Sequence, residues 1–317
     1  MGSKVLLITA GTLRPIANAL SYLGTNVHPV YFPYPWARTL HALRVSYVFQ
    51  ASARRFNGPQ GAKALSWGTY ISGFLVMAWG GTVLSSLLLS QPPPMLYSVG
   101  IWINYIVPHL ILTFLFSTSF LSPSLLTTNS HLVDTILFPL DGLLRAGSVA
   151  GTLALLSNPS SPVNPLLASS PLTHLILGAI ASGGGGTTAA TINAWNPQWS
   201  FNTPVFLRDG VGWLGTLDLW GGALAAIIYS SLTSHPAFTP FTHGFLSYMA
   251  VLPFTPDLLP SLSALGAKAV AALVFMILFA TRVYLRHWAG GLWPRSTPQT
   301  GRKLGAVPSQ GQKTKTQ

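Results

Sequence analysis

Asp134, Asp141, Arg145 and Ser148 follow one another at intervals of 7, 4 and 3 residues. Wound as an α-helix at about 100° per residue, that spacing keeps all four side chains within about 60° of one another. They form a polar stripe on a segment, His131–Leu156, that is otherwise apolar. The i, i+4 spacing sets Asp141 and Arg145 at pairing distance. Such a pair either fixes the rotation of a buried helix or stands beside a path for ions or lipid. Other chemistry is scarce. The chain has no cysteine, which removes thiolate metal sites, disulfides and Cys nucleophiles. The eight histidines are scattered, and His131/Asp134 is the one close His/Asp pair. With no His-x-x-x-His and no Gly-x-Ser-x-Gly, the chain reads as neither a metal-dependent nor a serine hydrolase. The expectation is no enzyme, no cofactor and no metal, with anionic lipid as the one ligand the charges suggest.

A second group is the run Gly183, Gly184, Gly185, Gly186, followed by Thr187. Each glycine costs roughly 1 kcal/mol of helix propensity relative to alanine. Two readings justify that. Small residues let helix backbones approach closely in a membrane, and Gly178, Ser182 and Gly186 carry the i, i+4, i+8 spacing. Alternatively the helix breaks and turns carbonyl oxygens toward a wet cavity, where they replace a cation's hydration shell. Thr187, Thr188 and Thr191 would then add hydroxyls. Gly80 and Gly81, followed by Thr82, repeat the motif 105 residues earlier. Lys268, Arg282 and Arg286 share one face of the last apolar segment, and the arginines there are expected to snorkel to headgroups.

The elements that must hold these residues are membrane helices. Charged residues make up 7% of the chain, against about a quarter in soluble proteins, and mean hydropathy is +0.47. All five acids are aspartate, and a charge inside an apolar segment is costly and kept for a reason. A bilayer span needs about 20 mainly apolar residues. The sequence predicts spans at Ser66–Ser90, Met95–Leu121, His131–Leu156, Pro171–Trp195, about Thr203–Leu232 and about Leu259–Leu285. His109, after Pro108 in the second of these, is expected to be a helix-packing group. Val27–Tyr47 is a seventh, poorer span because it holds Arg38, His41 and Arg44. Phe238–Leu252 is short and broken by proline, and is expected to be an interfacial loop. Residues 1–25 form an N-terminal segment, 26–290 a seven-helix domain and 291–317 a disordered basic tail. The acid-free, arginine-punctuated first 133 residues also have the composition of a transit peptide; helix-flanking arginines are the reading preferred.

The offset of 105 residues maps the span at Met95 onto that at Thr203, and His131–Leu156 back onto about Asn26–Ala51. Two inverted three-helix repeats plus a C-terminal helix then account for the chain, an all-α membrane protein. Paired glycine interruptions in such repeats point to a permeation or binding site. The formal charge of +12 is gathered in loops and tail. That fits the positive-inside rule and membrane lipids rather than nucleic acid, and puts the C-terminus in the cytosol and the N-terminus on the other side.

From Trp67 to Leu285 the sequence resembles the trimeric intracellular cation (TRIC) channel family. Ser66-Trp67 through Leu87-Leu88-Leu89 is similar to its second helix, Ala181–Ile192 to its fifth-helix glycine motif, and Ala264–Tyr284, with Lys268, to its seventh helix. The resemblance implies seven helices, two inverted repeats, a homotrimer, and one potassium-permeable pore per subunit. It also implies counter-ion flux across the endoplasmic reticulum or another internal membrane. Gly80, Gly81 and Gly183–Gly186 are the expected helix breaks around the pore. Animal members hold an inositol lipid with Lys-Glu-Val and an Arg four residues after the Lys. Here those positions read Leu140-Asp141-Gly142 and Leu144, with Arg145 one residue late, so the sequence leaves open whether that lipid binds. A proton- or ion-coupled transporter, with Asp134 or Asp141 titrating, is the competing class.

Overall fold

The computed structural model describes residues 2–118, 120–158, 163–239 and 262–289. The fold is all-α. The first helix, α1 (Gly2–Leu23), is joined to α2 (Trp36–Asn57) by a hairpin of β1 (Asn26–His28) and β2 (Phe32–Pro35). There follow α3 (Trp67–Leu88), α4 (Val99–Ser117), α5 (Ser130–Ser157), the short α6 (Pro165–Ala168), α7 (Pro171–Thr191), the short α8 (Gly212–Gly215), α9 (Leu217–Leu232) and α10 (Ala264–Val283).

Local chemistry sets the boundaries. Ser66, Ser170 and Ser263 cap α3, α7 and α10, each accepting a hydrogen bond from a backbone N–H three residues on. Pro171 sits at the first helical position of α7, where its missing N–H costs nothing. Pro108 and Pro139 lie inside α4 and α5, a tolerated placement in membrane helices where neighbours satisfy the freed carbonyls. Four helical stretches are long and apolar enough to cross a membrane: Trp67–Leu88, Val99–Ser117, Ser130–Ser157 and Ala264–Trp288.

The expected span Pro171–Trp195 is helical over α7 but is not among these four, and two further expected spans are corrected. Val27–Tyr47 is not one element: its first part is the hairpin, and the helix begins only after Pro35. Prolines 33 and 35 suit an edge strand, not a helix interior. About Thr203–Leu232 is helical only from Leu217 apart from short turns. Gly210 and Gly212 take φ of 75° and 62°, a left-handed geometry that ends any helix there. The expected loop at Phe238–Leu252 and the tail 291–317 fall largely or wholly outside the described residues.

The apolar core divides in two. One part joins Phe49 of α2, Phe74 and Trp79 of α3 and Tyr105 of α4, with the end of α7. The other joins Leu153 of α5, Leu177 of α7, Leu217 of α9 and Phe275 and Phe279 of α10, with α1 packed alongside. The two parts meet where α3 crosses α7.

Candidate functional site

At that crossing both glycine motifs are in contact. A Cβ at Gly81 would lie 2.7 Å from the Ile180 carbonyl oxygen, and one at Gly184 would lie 2.8 Å from the Gly81 Cα. Gly185 is pressed against the Met77 carbonyl, and Gly80 against Thr188 and the Gly185 Cα. A second face of α7 packs on α9, where Gly178 and Ser182 meet Gly222. Both α3 and α7 run unbroken through their glycines. The expected helix breaks at Gly80, Gly81 and Gly183–Gly186 are therefore corrected: the missing side chains allow close approach, and the carbonyls stay in the helical ladder. Gly186 differs, since a Cβ there would meet nothing within 4 Å.

The charges form two triads on α5. In the first, Arg44 of α2 lies between Asp134 and Asp141. Its Nε donates to both Asp141 oxygens at 2.9 and 3.1 Å, and its Nη2 donates to Asp141 at 2.9 Å and to Asp134 at 2.9 Å. His287, just beyond α10, lies 3.3 Å from Asp134, and the Trp288 indole donates to Thr135. In the second, Asp218 in the first turn of α9 lies between Arg145 at 3.2 Å and Arg282 of α10 at 2.8 Å. Arg282 also stands 4.6 Å over the Phe279 ring.

The expected Asp141–Arg145 pair is thus absent; each belongs to a different triad. Interhelical geometry wins because Arg44 satisfies both oxygens of Asp141 at once, a bidentate fit that an i+4 neighbour on the same helix does not reach. Arg282 does not snorkel: it is committed to Asp218. Lys268 stands apart from both triads, its Cε 3.8 Å from the position a Cβ would take on Gly147. Ser148 donates to the Ala181 carbonyl and ties α5 to α7. His109 is buried and stacked on Phe74 at 3.9 Å, with Nδ1 2.7 Å from the Ser46 hydroxyl. That matches its expected packing role.

Sequence reasoning missed Arg44 and the Asp218–Arg282 pair as partners. The signal was present: an isolated base and an isolated acid in poorly hydrated segments each demand a counter-charge.

A cavity of about 80 Å³ joins the two features, glycines and charges. Gly183, Gly186 and Thr187 of α7 line one side, and Arg145, Thr216 and Asp218 the other. A shallower recess of about 270 Å³ at Gly68, Thr69, Ser72 and Trp199 has no charged lining. Asp218 at the start of α9 complements the positive end of that helix as well as both arginines. Asp218→Asn is expected to cost about 1.5–3 kcal/mol, the loss of a charge-assisted hydrogen bond from Arg282. The exposed Asp209→Asn serves as control, and thermal unfolding in detergent measures both. Compared with known proteins, the chain matches no protein-family model, no curated protein and no solved structure.

Proposed function

We propose that this is a channel for monovalent cations, potassium foremost, in an internal membrane such as the endoplasmic reticulum, acting as a homotrimer of the trimeric intracellular cation type. The observation that carries the reading is the polar cavity where the glycine face of α7, near the end of that helix, meets Arg145 of α5 and Asp218 at the start of α9. A polar space of that kind, edged by the Thr187 and Thr216 hydroxyls and the Asp218 carboxylate, offers the oxygen ligands that a partly dehydrated cation needs.

The arrangement of helix ends supports an inverted-repeat plan of seven spans, with α2–α3–α4 as one triplet, α5–α7–α9 as the other and α10 as the seventh span. Asn57 at the end of α2 donates to the Trp195 carbonyl just past α7, and Tyr47 of α2 donates to Leu125, just before α5. The ends of α2 and α7 therefore lie together, and the start of α5 lies against the middle of α2. His287 and Trp288 beyond α10 reach the start of α5 as well. Arg54, Arg55, Arg208 and Arg286 belong to this same end, which the positive-inside rule assigns to the cytosol. The outer face of α4, with Ile103, Leu110, Ile111 and Phe114 exposed, is apolar surface for lipid or a neighbouring copy.

One contact favours an ion-coupled transporter instead: Asp134 faces His287 at 3.3 Å, a carboxylate–imidazole contact of the kind found in the polar relays of pumps and transporters. Purified protein in liposomes separates the two. A channel passes potassium down a voltage with no second solute, and a planar-bilayer recording in potassium and then sodium gives discrete currents. Strict dependence on a proton gradient or a co-solute would replace the channel reading with the transporter.

A further inference from the structure

We propose that Arg145 is the group that closes the cavity to cations and sets its charge preference, so that a cation passes only when the guanidinium leaves Asp218. The inference rests on the conduction reading above and adds the residue that decides which ions pass.

Arg145 and Asp218 are the charged part of the cavity lining. The carboxylate is already committed: Arg282 donates a hydrogen bond to its Oδ2 at 2.8 Å from the α10 side. Two guanidinium groups face one carboxylate, and the one on the cavity side is Arg145. A cation entering this space in the present arrangement meets a like charge in a poorly hydrated setting, where charge repulsion is strong. The cavity in this form therefore repels the ions it is proposed to carry.

The two arginines are not held equally. The Arg145 contact to Asp218 Oδ1 is 3.2 Å long and lacks hydrogen-bond geometry, leaving that oxygen without a hydrogen-bond partner among the described residues. The Arg145 side chain is 34% exposed, against 21% for Arg282. Arg145 is thus the member of the triad that can leave without stranding a hydrogen bond. A second anchor lies within reach: Asp141, one turn back on α5, stands at the i, i+4 distance. Its Oδ1 accepts a single bond from Arg44, whereas Oδ2 accepts two. Moving the guanidinium from Asp218 toward Asp141 removes the positive charge from the cavity and bares half a carboxylate to it. Gly186, whose missing side chain leaves open space on the opposite wall, provides the room.

Two measurements test this. In planar bilayers, Arg145→Gln is expected to raise unitary potassium conductance about tenfold, the size of effect that removing one nearby like charge gives. It is also expected to move the reversal potential under a potassium chloride gradient toward potassium. Arg14→Gln, on the exposed side of α1, is the control. Wild-type conduction with unchanged conductance and reversal potential in Arg145→Gln would overturn the inference while leaving the channel reading intact.

The second measurement does not need conduction. Since the chain has no cysteine, Gly186→Cys gives a single thiol at the cavity wall. An anionic methanethiosulfonate reagent is expected to modify it faster than a cationic one, and Arg145→Gln is expected to reduce that ratio about tenfold. If no protein conducts, the channel reading fails, and this ratio alone decides the role of Arg145. An unchanged ratio overturns it.

Discussion

Gly185→Ala is expected to disrupt the crossing of α3 and α7, while Gly186→Ala, one residue further on, is expected to be harmless. At Gly185 the added methyl group would fall well inside 3.0 Å of the Met77 carbonyl oxygen, a backbone atom in the middle of a helix. No side-chain rotation relieves that contact, so the helices must move apart along the whole crossing. Overpacking of this kind costs typically about 1–3 kcal/mol, and a rigid backbone neighbour places Gly185 at the upper end. Gly186 meets nothing within 4 Å, and alanine there gains up to about 1 kcal/mol in helix propensity. Thermal unfolding of the two variants in detergent is expected to differ by roughly 10 °C, given about 2–4 °C per kcal/mol for a chain of this class. Indistinguishable midpoints would show that the two helices are not in backbone contact.

The second large effect is expected at Arg44. Its head group is 13% exposed and holds Asp134 and Asp141 together. Arg44→Met removes the base and leaves two carboxylates facing one another with no counter-charge from α2. Removing one partner of a buried pair costs about 3–5 kcal/mol, most of it the stranded charge. The triple variant Arg44→Met, Asp134→Asn, Asp141→Asn removes the stranded charges as well and is expected to recover most of the loss, since a neutral replacement of a buried network is often close to neutral in stability. Arg145→Met, by contrast, gives up one half-exposed contact without hydrogen-bond geometry and is expected to cost under about 1 kcal/mol. The measurement is unfolding midpoint for all three proteins. A single Arg44→Met as stable as the starting protein would show that the triad is not buried in the membrane form.

The sites at Asp218 and Arg44 illustrate a general feature of apolar chains with few charges. Each acid in the described spans has a basic partner from another helix: α2 and α9 are tied to α5 in this way, and α10 is tied to α9. The polar stripe on α5 is therefore the strut that fixes their rotation and depth. Function, on the reading proposed, grows from the one place where the strut is loosely fastened.

What the sequence by itself determined is an apolar, all-α chain and the positions of most of its long helices. Low charge, apolar blocks of span length and serine or proline at the starts of α3, α7 and α10 are local properties, and local structure follows from them. The polar stripe on α5 was equally legible, because a helix fixes which residues share a face. Only the tertiary structure decided the partners. Asp141 and Arg145 are one turn apart and look like a pair, yet Arg44 lies 97 residues from Asp141 in sequence and Arg282 lies 64 from Asp218. The glycine runs were ambiguous for the same reason. A bare backbone is equally suited to a break or to close contact, and the choice depends on whether another backbone is there to meet it. For Gly184 and Gly185 one is; for Gly186 there is only open space.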